Sequence, residues 1–349
     1  MPASGNHVLI IGGGVLGLTS AVRLLQCDPE ATVTIVDRAD IGGGASRYAG
    51  AIDIPYFFTE PHRELVAFSW DWYAAYPPAA RHRLAVPISW CVATDAEEVE
   101  LQAHVLEGLD KNDSQWPLPT SLLGAKRLSG RAFVIQSGPL CNALADQITQ
   151  SGRAQIVEHS PIGAIRVENS VVQAVSAAGD LFIGSRAIVC IGPWLPNWIE
   201  PFATLARVKG IRNKSVFGVQ IEVDVPEPIW RSVGWIAGGI FFLPYGRTGK
   251  YFMSIQHDVW NVVPEAPLPL LREVEERVGR FLESMIHPHP WRIAKPSIFV
   301  DTYTCPYFPV IERLSELNGR VVVVTGSHGS GVRLAPALAN RAVSLCLNN

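Results

Sequence analysis

The sequence predicts an α/β fold, and three observations predict it. An apolar run, Val8–Ile11, ends in three glycines and gives way to a helical pattern from Leu16, "LGLTSAVRLLQ". A second apolar run, "TVTIVDR", closes on an acidic residue, Asp37. Far along the chain Val321–Val324 again leads through a glycine loop into a helical pattern, "APALANRAV". Buried strands alternating with helices build a parallel sheet with helices packed on its faces.

Composition sets the outer limits. The 349 residues are 48% hydrophobic and 17% charged, which suits one or two full cores and excludes a disordered chain. A formal net charge of -3, without any long Lys/Arg block, leaves no electrostatic footprint for nucleic acid or an anionic membrane. No apolar run reaches the ~18 residues of a transmembrane helix, and the start "MPASGNH" lacks a positive n-region. Cys27, Cys91, Cys141, Cys190, Cys305 and Cys346 lie far apart and form no C-x-x-C pair, so they read as free thiols. A soluble, cytoplasmic protein is expected, with neither a nucleic-acid nor a membrane partner.

The first strand–helix unit carries the chemistry. Gly12-Gly13-Gly14-Val15-Leu16-Gly17 is G-x-G-x-x-G. Gly12 permits the tight turn, Gly14 lets backbone approach a pyrophosphate, and Gly17 lets the helix pack on the strand. The N–H groups where the helix starts, at Val15 and Leu16, hold phosphate with the positive dipole end. Asp37 follows Gly17 by twenty residues, with Arg38 beside it, and is placed to accept hydrogen bonds from a ribose 2′-OH. This is a Rossmann-like dinucleotide-binding unit.

The next segment, "IGGGASRYAGAI" (41–52), bears on which dinucleotide. A nicotinamide enzyme would proceed to its next β–α unit. Small residues here instead let extended backbone run beside a flat, bulky group. The pattern resembles the D-amino-acid oxidase family of flavoproteins, which includes glycine oxidase and sarcosine oxidase. Two further stretches are similar to that family in matching order. "AIVCIGPWLPNW" (187–198) resembles its strand followed by G-A-W, and "GRVVVVTGSHGSGVRLAPALANRAV" resembles its C-terminal strand, glycine loop and helix.

The resemblance implies FAD, held by Gly44, Ala45, Ser46, Arg47, Ala49 and Gly50 in the small-residue loop and by Gly192 and Trp194 after the later strand. It implies a β-meander whose first strand brings the main chain to adenine near Ile162. It also places His328, Gly329, Gly331, Val332 and Arg333 around the flavin, with the helix N-terminus stabilising charge at its N1–C2=O edge. The implied architecture is a p-hydroxybenzoate-hydroxylase-like FAD domain (1–60, 135–200, 315–349) and a discontinuous α+β substrate domain (61–134, 201–314). The strand-like runs "SVFGVQIEV", "GGIFFLPY" and "KYFMSIQH" would supply that domain's mixed or antiparallel sheet, and "PLLREVEERVGRFLESM" an amphipathic helix.

The implied activity is oxidation of the C–N bond of an amine or modified amino acid, by hydride transfer to flavin N5, giving an imine, with molecular oxygen as acceptor. A quinone or protein acceptor, and a non-catalytic flavoprotein subunit, are the alternatives. The family's carboxylate-binding arginine and its flavin-linking cysteine both align with Asp301 in "DTYTCPYFPVIER". Non-covalent FAD is therefore expected, with a substrate that is cationic or hydroxylated rather than a simple carboxylate; Cys305 is four residues out of place. Arg333 matches a family lysine that contacts substrate carboxylate, but it can equally pair with an acid such as Asp301. Arg47 is a second anion anchor or the partner of a carbonyl or phosphate. Lys250 falls near a family lysine that activates oxygen. Tyr245, Tyr251, His257 and Tyr303 are candidates for lining the pocket or packing in its core and roof, Tyr303 being also a candidate catalytic residue, and His328 shapes its loop. "HPHP" (287–290) reads as a turn, and no metal site is expected.

Overall fold

The computed structural model describes residues 6–110, 126–224, 230–245, 249–286, 289–305 and 307–348. Its central sheet has the strand order β19-β20-β12-β1-β2-β8. Five of these strands are parallel: β1 (His7–Ile11), β2 (Thr32–Val36), β8 (Ala154–Val157), β12 (Arg186–Val189) and β20 (Val321–Thr325). The edge strand β19 (Val310–Arg313) runs antiparallel to β20. β20 is buried at every residue, as its unbroken run of valines requires of a strand covered on both faces.

Different structures cover the two faces. On one, α1 (Val15–Cys27), α3 (Glu60–Ala75), α6 (Ser137–Gln150) and α9 (Gly331–Leu347) share a core that includes Leu18, Leu65, Leu144 and Leu338. On the other lie the meander β9 (Ile162–Glu168), β10 (Val171–Ser176) and β11 (Leu181–Gly184), and α7 (Phe202–Val208). Two short helices, α2 (Ala45–Tyr48) and α4 (Pro77–Arg81), complete this body.

A second sheet of eight strands combines β5 (Ile88–Val92), β6 (Lys126–Gly130), β13 (Arg212–Val223), β14 (Ser232–Trp235), β15 (Ile240–Pro244), β16 (Lys250–Ile255), β17 (Trp291–Pro296) and β18 (Phe299–Tyr303). It is mixed, since β14 pairs parallel to β5 and the other ladders are antiparallel. Val274, Val278, Phe281 and Leu282 of α8 (Arg272–Ile286) are buried at helical spacing in its core. α5 (Asp95–Ala103) starts with Thr94 accepting from the Glu97 N–H, an N-cap. A small sheet, β3 (Ile52–Asp53), β7 (Phe133–Ile135) and β4 (Arg83–Ala85), contains the buried Arg83–Asp53 ion pair at 2.7 Å.

Two segments fall on the other side of the expected domain boundaries. β19 lies before 315 yet belongs to the parallel body. α3 lies after 60 yet packs on α9, and Pro336 shows why. Proline has no N–H to give the Val332 carbonyl four residues back. Tyr73 Oη of α3 donates to that carbonyl at 2.5 Å, and Ser69 Oγ accepts from the Ala337 N–H at 3.2 Å. All six cysteines are free, and no helix among the described residues is long and apolar enough to cross a membrane. "HPHP" lies partly outside the described residues, and among those described no group of three ligands could hold a metal.

Candidate active site

A cavity of about 910 Å³ runs between the C-terminal ends of the parallel strands and the eight-stranded sheet. Open α/β sheets place ligands at this edge. Two helices begin at it. Gly14, Val15 and Leu16 bring the start of α1 to the wall, and Ser330, Gly331, Val332 and Arg333 bring the start of α9. Each start presents backbone N–H groups and a positive dipole end. Gly12 makes the first turn possible: its φ is +108°, and a Cβ there would stand 2.5 Å from the Cys190 carbonyl oxygen. Gly17 does not line the cavity; a Cβ there would meet the Gly12 carbonyl at 1.9 Å, so it serves helix packing.

At one end Asp37 closes β2. Its carboxylate accepts the N–H of Gly13 at 2.5 Å and of Ala39 at 2.8 Å, while burial pushes its pKa upward against those bonds. Arg38 lies over the Trp194 ring at 4.8 Å and pairs with Glu265 at 2.5 Å, and Trp194 Nε1 donates to the same carboxylate. Ile162 lines the wall, its carbonyl accepting from Trp198 Nε1 at 3.0 Å. Between the ends, Gly44, Ala45, Ser46, Ala49, Gly50 and Gly192 line the wall with little or no side chain. Ser46 Oγ accepts the Val15 N–H at 3.1 Å.

The other end gathers the titratable groups. Asp301 is 8% exposed, and its oxygens accept the N–H of Thr302 and of Gly329, each at 2.8 Å. Burial raises its pKa to about 6. Arg333 lines the cavity with three N–H groups committed, to the carbonyls of Ile54 (3.1 Å) and Tyr56 (2.7 Å) and to Ser330 Oγ (2.9 Å). Burial brings its pKa down to about 10, against the carboxylate of Asp53. His328 holds φ +53°; its Nε2 meets Thr304 Oγ1 at 2.6 Å, and burial lowers its pKa to about 4. Tyr303 packs edge-on to His328 with ring centroids 5.3 Å apart.

The other residues named from the sequence divide between solvent, core and wall. Lys250 is corrected: it begins β16 at the solvent rim, off the cavity, 3.6 Å from Glu222 directly opposite in register. Arg47 is also corrected, being exposed on α2 and not lining the cavity. Arg333 binds carbonyls and a hydroxyl rather than Asp301. Tyr245 is exposed and Tyr251 is a core residue stacked on Phe242. His257 lines the cavity but turns its Nε2 to Glu273 at 2.8 Å. Cys305 is exposed and off the wall.

Two groups escaped the sequence reading. Lys214 of β13 is 5% exposed on the cavity wall, its ammonium 2.6 Å from Asp258 and facing the Trp260 ring at 4.9 Å. A lysine inside an apolar strand run was its signal. His62 of α3 is buried and held at about 3 by burial, with Arg333 and His328 near it. It shares the helical spacing of Leu65, Val66 and Ser69, and that buried stripe was the clue.

These residues fit FAD. The bare turn at Gly12–Gly14 beside the start of α1 suits a pyrophosphate, and Asp37 suits a ribose. Gly192 presents backbone to open space, with no atom within 4 Å of where a Cβ would stand. No curated protein sequence matches the chain. Solved structures do. An L-proline dehydrogenase from P. horikoshii is 18% identical over 98% of this chain and 93% of its own, with a TM-score of 0.80. A glycine oxidase from Geobacillus kaustophilus is 17% identical over 98% and 95%, with a TM-score of 0.75. A fructosamine oxidase from Aspergillus fumigatus is 16% identical over 98% and 86%, with a TM-score of 0.79. At these identities they establish the fold. The family model of FAD dependent oxidoreductases, DAO, matches residues 7–345, nearly the whole chain. With the starts of α1 and α9 and the carboxylate of Asp37 at one cavity, the chain belongs to the DAO family of FAD dependent oxidoreductases.

Proposed function

We propose that the protein oxidises the C–N bond of an amine or amino acid, with FAD bound non-covalently and molecular oxygen as the final acceptor. When bound, FAD supplies the acceptor for hydride. The chain's own residues hold the reactants and shape the charge around them. Gly331, Val332 and Arg333 turn the start of α9 toward the cavity, where its N–H groups and dipole favour developing negative charge. Phe252 and Leu243 wall the cavity against Gly50, where a Cβ would come within 2.6 Å of the Phe252 ring. Such close walls exclude water and fix the substrate's orientation.

Non-covalent attachment is supported by the cysteines. The one on the wall, Cys190, is buried and its thiol is driven far up in pKa by burial, which disfavours the reactive thiolate. The observation that carries the oxidase reading is the meeting of the α9 N-terminus with Asp301 and a ring of aromatic residues at one end of the cavity. Relatives described as glycine oxidase and fructosamine oxidase support an amine or amino-acid substrate and oxygen as acceptor. The relative described as L-proline dehydrogenase favours a second reading, with a quinone or protein acceptor.

Anaerobic mixing of the FAD-loaded protein with a panel of D- and L-amino acids, N-methyl amines and cyclic amines tests the proposal. Bleaching of the flavin by one class is expected, and rapid return of colour with hydrogen peroxide on admitting air. Bleaching without return in air replaces oxygen by another acceptor. No bleaching by any amine removes the proposal.

A further inference from the structure

We propose that the Asp301 end of the cavity is a binding site for an organic ammonium without a carboxylate. This names the substrate class of the proposed oxidation and rests on that reading. Phe299, Asp301, Thr302 and Tyr303 of β18 all line the cavity. Each Asp301 oxygen accepts one backbone N–H, and each keeps a lone pair. Both donors are neutral, so the carboxylate is held in place without its charge being met.

The charged and titratable groups of the surrounding elements are otherwise committed. Lys214 stands opposite Asp301 in the β13–β18 register, yet its ammonium is bound to Asp258, whose charge offsets it. Arg333 of α9 holds two carbonyls and Ser330, with Asp53 behind it. His62 of α3 and His328 of the glycine loop are both held neutral by burial. Among the described residues no cation lies within ion-pair distance of Asp301. A buried carboxylate without a counter-charge is costly, and a cationic ligand supplies what the fold omits. The walls agree with it. Tyr56, Phe58, Tyr303 and Tyr307 line the same cavity, with Phe58 and Tyr307 exposed, and aromatic faces attract cations. A carboxylate ligand would meet like charge.

Calorimetric titration of the full-length, FAD-loaded protein with benzyltrimethylammonium and with phenylacetate tests this. The two probes share shape and differ in charge, and the first has neither an N–H nor a nitrogen lone pair. The ammonium is expected to bind about tenfold or more tightly than the carboxylate. Its binding should weaken as pH falls below about 6, where Asp301 takes up a proton. Asp301→Asn should lose about tenfold in ammonium affinity and Asp301→Glu should keep most of it, with melting temperature as the check on folding. If Asp301→Asn does not fold, the probe contrast and its pH dependence in the wild type still decide. Phenylacetate binding as well or better, ammonium binding that ignores pH, binding of neither probe, or an Asp301→Asn protein that binds like wild type would each overturn the proposal. Failure of the amine-oxidation reading shows separately, as a flavin that no amine bleaches while the probe contrast persists.

Discussion

Gly12 is constrained both in backbone conformation and in space. Its φ of +108° and the 2.5 Å between a Cβ and the Cys190 carbonyl oxygen mean that a methyl group there pushes β1 away from β12. Gly12→Ala is expected to cost on the order of 1–3 kcal/mol and to strip FAD from the protein, read by melting temperature and by absorbance after gel filtration. Histidines set another residue-scale property. His62 and His328 titrate at about 3 and about 4 in the fold, below the 6.5 of a free imidazole, so between those values the unfolded chain binds the extra protons. Their stability contribution is complete above about pH 6.5 and is lost as pH falls toward the folded values. Asp53 and Asp301, raised to about 6, act oppositely between about pH 4 and 6. His62→Phe should therefore flatten the loss of melting temperature between pH 6.5 and 4; an unchanged profile contradicts the assignment. The turn between β1 and α1 and the place of Asp37 at the end of β2 were legible in the sequence because they follow from local pattern. Lys250 was not. It shares the strand face of Phe252 and Ser254 but sits one pleat beyond the cavity, where Glu222 and solvent take its charge.

At the scale of elements, α9 is a helix that needs a neighbour. Pro336 leaves the Val332 carbonyl without its helical donor, and Tyr73 replaces that donor from α3. Tyr73→Phe leaves a buried acceptor unmet at the start of the helix that faces the cavity. A loss of about 1–3 kcal/mol in unfolding free energy is expected, with weaker retention of FAD. Stability equal to wild type would mean that the hydroxyl does not serve this carbonyl. The strand–loop–helix units and α8 could be read from periodicity, because 3.6-residue spacing and unbroken valine runs report burial directly. The order of the eight-stranded sheet could not. β13 pairs with β16, β17 and β18, and β14 with β5, across long sequence separations that no local pattern encodes.

For the whole molecule, the two sheets are joined by more than the chain. Arg38 on the parallel body and Glu265 on the other close over Trp194 at the mouth of the cavity, and α3 ties the segment after residue 60 to α9. Boundaries read from motif order alone therefore misplace α3 and β19. Their attachment depends on a proline repair and an edge pairing formed only in three dimensions. The proposed function rests on a single cavity at which two helix N-termini receive one FAD. Its most direct measurement is the visible spectrum and flavin stoichiometry of the protein after incubation with excess FAD and removal of the unbound fraction. One FAD per chain, released intact on denaturation, is the predicted result. A colourless protein, or flavin that stays attached to the denatured chain, would contradict it.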